Sequence, residues 1–337
     1  MNNKKFILFL ILIFTLLGCT NKKYLFNGET QGSTYSIIFY SDKDKQFINN
    51  VSKIIDSILF HIDMVASVFN DSSEISIFNI NDTLIDFSDD FLFLYNKSKE
   101  IYYNTDGIFN PAIGPLIKYY GFLKDKGTDK IDTQYVKQLL CFTNLDSIKI
   151  NVEQRKITKP KGYYLDFNAI ATGYTVDKIA QNFDKLGIEN YLIEIGGEVY
   201  AKGSHKNKKP WKVGIEKPPV SMYSPQNVLL KVAIKDKAIV TSGITRKYHS
   251  NNNKKINHII DPQTGFPIPS NILSVSVIAP NCTDADAYAT AFMIMGVDNT
   301  LNFIKNMPPY EVFFIIVNKD SFDIKYSDGF ANYIISH

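Results

Sequence analysis

Asp286 and Thr290 stand four residues apart in the run Thr283-Asp284-Ala285-Asp286-Ala287-Tyr288-Ala289-Thr290. On a helix that spacing puts both side chains on one face. Carboxylate and hydroxyl oxygens are hard donors, so such a face near a positive helix end could hold a hard cation beside a phosphate. A capped acidic turn with nothing bound fits the same residues, with Thr283 as N-cap and Asp286 folding back toward it. His258 and Asp261 lie in His258-Ile259-Ile260-Asp261-Pro262-Gln263-Thr264-Gly265. Asp-Pro with a nearby Gly is ordinary turn chemistry, which accounts for Asp261 and leaves His258 as a candidate general base.

Three further segments could approach a ligand. Gly196-Gly197 follows the apolar stretch Tyr191–Ile195, where a tight turn and a close backbone approach are equally good readings. Ser242-Gly243, after Thr241, could offer a hydroxyl and amides to a phosphate, or form a plain loop. The run Leu165-Asp166-Phe167-Asn168-Ala169-Ile170-Ala171-Thr172-Gly173-Tyr174 leads into a helix whose first N–H groups suit an anion. Asp166 bonding its own backbone in a strand-to-helix turn fits that run too.

The elements that must position these groups follow from apolar spacing. Phe47, Ile48, Val51, Ile54, Ile55, Ile58, Leu59, Ile62 and Val65 predict an amphipathic helix. A second helix starts after an N-cap at Ser88 and ends before Gly107. A third carries Val176, Ile179, Ala180, Phe183 and Leu186, with Gly187 at C′. Strands are expected at Tyr35–Tyr40, Tyr191–Ile195, Trp211–Ile215, Leu229–Ile234, Leu273–Ala279, Glu311–Val317 and Phe322–Tyr326, with a late helix from Thr283 to Met295. Helices and strands mix without strict alternation, which indicates an α+β fold.

Lys4-Lys5, the apolar run Phe6–Leu17 and Leu16-Leu17-Gly18-Cys19 form a secretory leader too short to span a bilayer. The last four residues resemble a lipobox, so residues 1–18 are expected to be removed and Cys19 lipidated. Lys22 to Asn27 reads as part of a tether over residues 19–28, ahead of a single catalytic domain at 29–337. The formal net charge of +3 falls to +1 when Lys4 and Lys5 leave, giving no electrostatic argument for nucleic acid. Cys141 and Cys282 are too far apart in sequence for a metal cluster and read as two buried thiols. There is no GxGxxG fingerprint, P-loop, HExxH or GxSxG elbow, which removes the support for the common dinucleotide, nucleotide, zinc and hydrolase folds.

The order of the motifs is more specific than any one of them. Gln31-Gly32-Ser33-Thr34-Tyr35, Ser73-Glu74-Ile75-Ser76, Asp106-Gly107-Ile108-Phe109-Asn110-Pro111, Leu165 to Asp177, Ile195 to Glu198, Thr241 to Gly243, His258 to Gly265 and Thr283 to Thr290 follow one another. In that order the chain resembles the ApbE-type FAD:protein FMN transferase family. The resemblance implies largely antiparallel sheets with packed helices, in two lobes around an FAD cleft. It implies FAD contacts at Gln31, Phe69, Phe109, Asn110, Asp166, Thr172 and Ile260, to which the local reading adds Gly196, Gly197, Ser242 and Gly243. Magnesium falls to the Ala169 carbonyl, Asp286 and Thr290, with the Ala289 carbonyl beside them. This chain has Gln31 where the family commonly has Met, and Thr172 where it commonly has Lys or Glu. It also has Asn110-Pro111-Ala112 where the family commonly reads Asp-x-Thr. The implied reaction transfers FMN from FAD to a Thr or Ser hydroxyl of an acceptor flavoprotein in an envelope electron-transfer complex, with His258 as base. A magnesium-dependent FAD pyrophosphatase and a non-catalytic flavin-binding lipoprotein are the rival readings.

Overall fold

The computed structural model describes residues 21–124, 127, 130–205, 208–217, 227–244, 248–251, 254–268, 271–307, 309–318 and 321–335. The expected leader and Cys19 lie outside these residues. The strands are β1 (Lys22–Thr30), β2 (Ser33–Ser41), β3 (Thr83–Ile85), β4 (Lys149–Asn151), β5 (Lys156–Thr158), β6 (Tyr191–Ile195) and β7 (Glu198–Lys202). They continue with β8 (Trp211–Glu216), β9 (Val228–Ile234), β10 (Lys237–Gly243), β11 (Tyr248–Asn251), β12 (Lys254–Asn257), β13 (Ile272–Ala279), β14 (Glu311–Asn318) and β15 (Ser321–Tyr326). The helices are α1 (Lys45–Ala66), α2 (Glu74–Asn81), α3 (Asp89–Asn104), α4 (Gly114–Tyr119), α5 (Thr133–Leu140), α6 (Ala171–Lys185), α7 (Cys282–Met295) and α8 (Val297–Ile304).

Eight strands form one sheet in the order β1-β2-β6-β7-β10-β13-β14-β15, and each neighbouring pair is antiparallel. The period of two along each strand divides its side chains between two cores. In β14, Val312 and Phe314 join the core under α1, α6 and α7, while Phe313 and Ile315 face the opposite core. That second core is closed by Trp211 and Ile215 of β8, Val232 and Ile234 of β9, and Phe330. A third cluster joins Leu116 of α4, Tyr120 just after it, Val136 of α5 and Ile260. The mixed, antiparallel α+β architecture agrees with the sequence expectation.

Local signals explain the helix starts. Asp44, Ser73 and Ser88 accept the N–H three residues on and cap α1, α2 and α3. Helix α7 is buried nearly all round because Ala285, Ala287, Ala289 and Ala291 let neighbours approach from every side.

Four expectations need correction. Lys22–Asn27 is not a tether: Tyr24 and Phe26 stack on Phe39 of β2, and the segment is the first part of an edge strand. Thr283 does not cap α7; Asn281 does, accepting the N–H of Asp284 at 2.8 Å. Asp286 accordingly does not fold back to a Thr283 cap. Cys141 is exposed rather than buried, whereas Cys282 is buried, and neither is in a disulfide. Among the described residues no helix is long and apolar enough to cross a membrane.

Candidate functional site

Helices α6 and α7 cross where Gly173 meets the start of α7. A Cβ on Gly173 would lie 2.3 Å from the Cys282 carbonyl oxygen, so only glycine allows this approach. The contact brings the Gly173 N–H to Asp286 Oδ2 at 3.0 Å. Asp286 is 5 % exposed. One turn on, Thr290 Oγ1 lies 3.4 Å from Ser242 Oγ at the end of β10. A carboxylate and two hydroxyls therefore come from α7 and β10, beside the first turn of α6.

The other carboxylates nearby are committed elsewhere. Asp284 accepts from Tyr310 Oη at 2.7 Å and from Asn281 Nδ2 at 2.9 Å, and pairs with Lys97 Nζ at 3.3 Å. Asp177 accepts the N–H groups of Cys282 and Thr283 and the Thr283 hydroxyl. Burial outweighs these three donors and pushes the Asp177 carboxyl up to about 6. Asp286 is thus the member of the Asp284/Asp286 pair that faces the first turn of α6. Among the described residues no three His, Cys, Asp or Glu side chains cluster as a metal site. One carboxylate with hydroxyl and carbonyl oxygens is a donor set suited to magnesium, which keeps several waters and binds substrate phosphate. Ala169 is half-buried just before α6, and Ala289 is fully buried inside α7.

Helix α6 begins at Ile170 without a side-chain cap. The expectation of several free first-turn amides is not met: the Ala171 N–H donates to the Phe167 carbonyl at 2.9 Å and the Gly173 N–H to Asp286, so half-buried Thr172 and the dipole end are what remain for an anion. Asp166 Oδ1 accepts the Asn168 N–H at 2.7 Å, so the Asx turn expected from the sequence is present. The Asp166 N–H in turn donates to the Pro111 carbonyl at 2.8 Å, joining the Phe109–Pro111 and Asp166 segments. Phe109 is buried, and the Asn110 side chain is held by the Thr143 carbonyl and the Ala112 N–H, each at 2.9 Å. Phe69 is 56 % exposed, an aromatic face open to a partner.

The segment from His258 to Gly265 docks on the α4–α5 cluster. Ile260 is buried there and bridges Pro267. Asp261 Oδ1 accepts the Gln263 N–H at 2.8 Å, its Oδ2 accepts the Thr264 hydroxyl at 2.9 Å, and its carbonyl accepts the Gly265 N–H. Tyr120 Oη donates to the Gly265 carbonyl at 2.9 Å. Burial pushes that phenol up to about 12, so it remains a donor at ordinary pH. His258 is half-buried with its ring edge-on to Phe122, centroids 6.1 Å apart. Asp261 is therefore a loop-fixing residue, and the loop it fixes carries His258.

Gly196 and Gly197, at φ 66° and 111°, make the two-residue turn between β6 and β7, and Gly196 N–H donates to Thr34. Ser242 and Gly243 end β10 as strand residues rather than as a loop. Reasoning from spacing overlooked Thr175, which accepts from Gln31 Nε2 at 2.7 Å, because the two lie 144 residues apart. It also overlooked Asp177 and Tyr120, whose partners are equally remote. The groove lined by Tyr119, Tyr135, Phe142, Lys159 and Tyr163 contains none of the expected flavin contacts.

Known proteins resemble this chain along nearly its whole length. The model of the ApbE family matches residues 31–314. The FAD:protein FMN transferase of Haemophilus influenzae is 30% identical over 312 residues, covering 90% of this chain and 89% of its own length. That of Vibrio cholerae is 30% identical over 328 residues, 96% of each chain. The solved flavin transferase ApbE from Vibrio cholerae superposes with a TM-score of 0.80 at 28% identity, covering 93% of this chain and 99% of its own. The apo flavinyl transferase ApbE of Pseudomonas stutzeri gives a TM-score of 0.83 at 25% identity, with 94% and 98% covered. With the family model matched over residues 31–314 and the fold shared over more than nine-tenths of the chain, the chain belongs to the ApbE family.

Proposed function

We propose that the protein transfers the FMN half of FAD to a hydroxyl of an acceptor protein. The observation that carries this is the match to FAD:protein FMN transferases over nearly the full length of both chains. The arrangement of Asp286, Thr290, the uncapped start of α6 and the His258 loop supports it.

The acceptor Thr or Ser oxygen attacks the phosphorus of the FMN half. A new P–O bond forms, the pyrophosphate P–O bond breaks, and AMP leaves with the electron pair. His258 takes the hydroxyl proton as the oxygen attacks. Asp261, by holding Gln263 and Thr264, keeps the loop that carries His258 in one conformation. The positive end of the α6 dipole favours the anionic pyrophosphate. Asp286, Thr290 and the Ala169 carbonyl would hold magnesium, with the Ala289 carbonyl as a further candidate. The ion, when bound, offsets charge on the pyrophosphate.

The chain from Lys22 onward, with β1 included, acts as one catalytic domain on this reading. Cleavage of residues 1–18 and lipidation of Cys19 would anchor it in the cell envelope facing the periplasm. The acceptor is then a flavoprotein subunit of an envelope electron-transfer complex.

The test is incubation of the protein with FAD and a purified acceptor domain, with and without magnesium, read by mass spectrometry and nucleotide chromatography. An acceptor heavier by one FMN group, with matching AMP, is expected. Free FMN and AMP with an unmodified acceptor would replace transfer by hydrolysis, and intact FAD would leave only binding.

A further inference from the structure

We propose that Gln31 reads FAD through a fixed hydrogen-bond acceptor: its side-chain carbonyl, Oε1, takes an N–H of the dinucleotide. The inference rests on FAD being the ligand of this site.

Gln31 and Gly32 form the two-residue turn between β1 and β2, with Thr30 paired to Ser33. Both have positive φ, 50° at Gln31 and 69° at Gly32. Such a turn favours Asn, Asp or Gly at its first position, and a residue with a longer side chain is strained there. Strain of this kind persists where surrounding contacts hold it and gathers at ligand sites.

Those contacts fix the amide in one orientation. Thr175 is fully buried, and its hydroxyl donates to the Ala171 carbonyl at 2.8 Å. Its only hydrogen is therefore used, and towards Gln31 it can only accept. Gln31 Nε2 donates to Thr175 Oγ1 at 2.7 Å, which turns Oε1 the other way. A flipped amide would set two acceptors against each other. Oε1 is shielded from solvent and has no hydrogen-bond partner among the described residues. A buried acceptor without a donor among the described residues is costly, and an N–H of the ligand would complete it.

The position of this acceptor matches the anion-facing end of α6. Thr172 and Thr175 are three apart and share a helix face, so Gln31 sits against the face that carries Thr172. A fixed acceptor discriminates best against a ligand that lacks a fixed donor. FAD has two groups bearing N–H, the isoalloxazine imide N3–H and the adenine 6-amino group. Its ribityl and ribose hydroxyls rotate and can accept as well as donate. The shared chemistry is an N–H presented to Oε1, and two analogues separate the sources: 3-methyl-FAD lacks the imide hydrogen, and flavin hypoxanthine dinucleotide lacks the amino group.

Equilibrium binding of FAD and both analogues to the full chain, followed by flavin fluorescence, tests this. Wild type should bind one analogue about tenfold or more weakly than FAD. Gln31→Met should erase that ratio, and Thr175→Val, which frees the amide to turn, should shrink it. The ratio is taken within each variant, so a general loss of stability does not imitate it. Equal affinity of wild type for FAD and both analogues would overturn the proposal while leaving FAD as the ligand. A ratio that survives in Gln31→Met would also overturn it. No binding of FAD by wild type would instead remove the flavin reading itself.

Discussion

The N–H of Gly173 donates to Asp286 Oδ2 at 3.0 Å, at the point where α6 crosses α7 with no room for a side chain. One residue thus serves two ends, close packing of the helices and orientation of the carboxylate. Gly173→Ala forces the Cys282 carbonyl away and should lower stability by about 1–3 kcal/mol, as overpacking does. By shifting Asp286 it should also weaken magnesium activation by about 10- to 100-fold, the range for lost outer-shell support. Urea unfolding and a magnesium titration of transfer would be compared. A loss of stability with an unchanged magnesium requirement would reduce Gly173 to packing alone.

Asp286→Asn keeps an oxygen for the Gly173 N–H but removes the charge. Transfer should therefore demand far more magnesium, by about 100-fold or more, beyond the loss of an outer-shell partner. The thermal midpoint should change little. A magnesium titration of the transfer rate with the acceptor domain checks this. A variant saturating at the wild-type concentration would exclude Asp286 as a ligand.

The contrast between these residues shows what can be read from one dimension. The spacing in α1 determined that helix because apolar periodicity is a local property, and Gly296 marked the end of α7. Three carboxylates near α7 could not be ranked that way. Asp284 is tied to Lys97 and Tyr310, and Asp177 to the start of α7, through contacts remote in sequence. The same remoteness moved the cap of α7: Asp177 draws the Thr283 hydroxyl inward, leaving Asn281 to cap. Strand β1 escaped notice because an edge strand needs only one apolar face, here Tyr24 and Phe26, and the apolar Leu25 between them points outward and hides the alternation. The His258–Gly265 turn was readable from Asp261-Pro262 and Gly265, whereas its anchor, Tyr120, was not.

His258→Ala should slow transfer by about 10²- to 10⁴-fold, the usual contribution of a positioned base, with FAD affinity nearly unchanged. Rate and affinity are measured separately, by acceptor mass shift and flavin fluorescence. An unchanged rate would take the base role from His258.

Asp261 acts on the loop rather than on substrate. Asp261→Ala loses the acceptors for Gln263 and Thr264 and should cost about 1 kcal/mol in stability. It should also lower kcat more than it raises KM for FAD, because His258 loses its fixed position. Asp261→Asn keeps an oxygen for the Gln263 N–H and should recover much of kcat. Equal activity in the Ala and Asn variants, both depressed, would argue that charge and not loop geometry is what Asp261 supplies.

Asp177 gives stability a pH dependence whose sign is set by burial. Its carboxyl is pushed from 3.8 up to about 6 in the folded state, so the native protein holds that proton more tightly than the unfolded chain does. The contribution is full below about pH 4 and is lost as pH rises through about 6. The shift corresponds to a loss of about 2–3 kcal/mol across that window. Asp177→Asn removes the titrating group but sets an amide against the N–H of Cys282 or Thr283. It should be less stable overall, by about 1–3 kcal/mol at low pH, yet flatter between pH 4 and 6. Urea unfolding of both proteins at half-unit steps from pH 4 to 7.5 isolates the difference, since every other group titrates alike in the pair. Stability curves that run parallel across the window would mean that the three hydrogen bonds from Cys282 and Thr283 keep Asp177 ionised despite its burial.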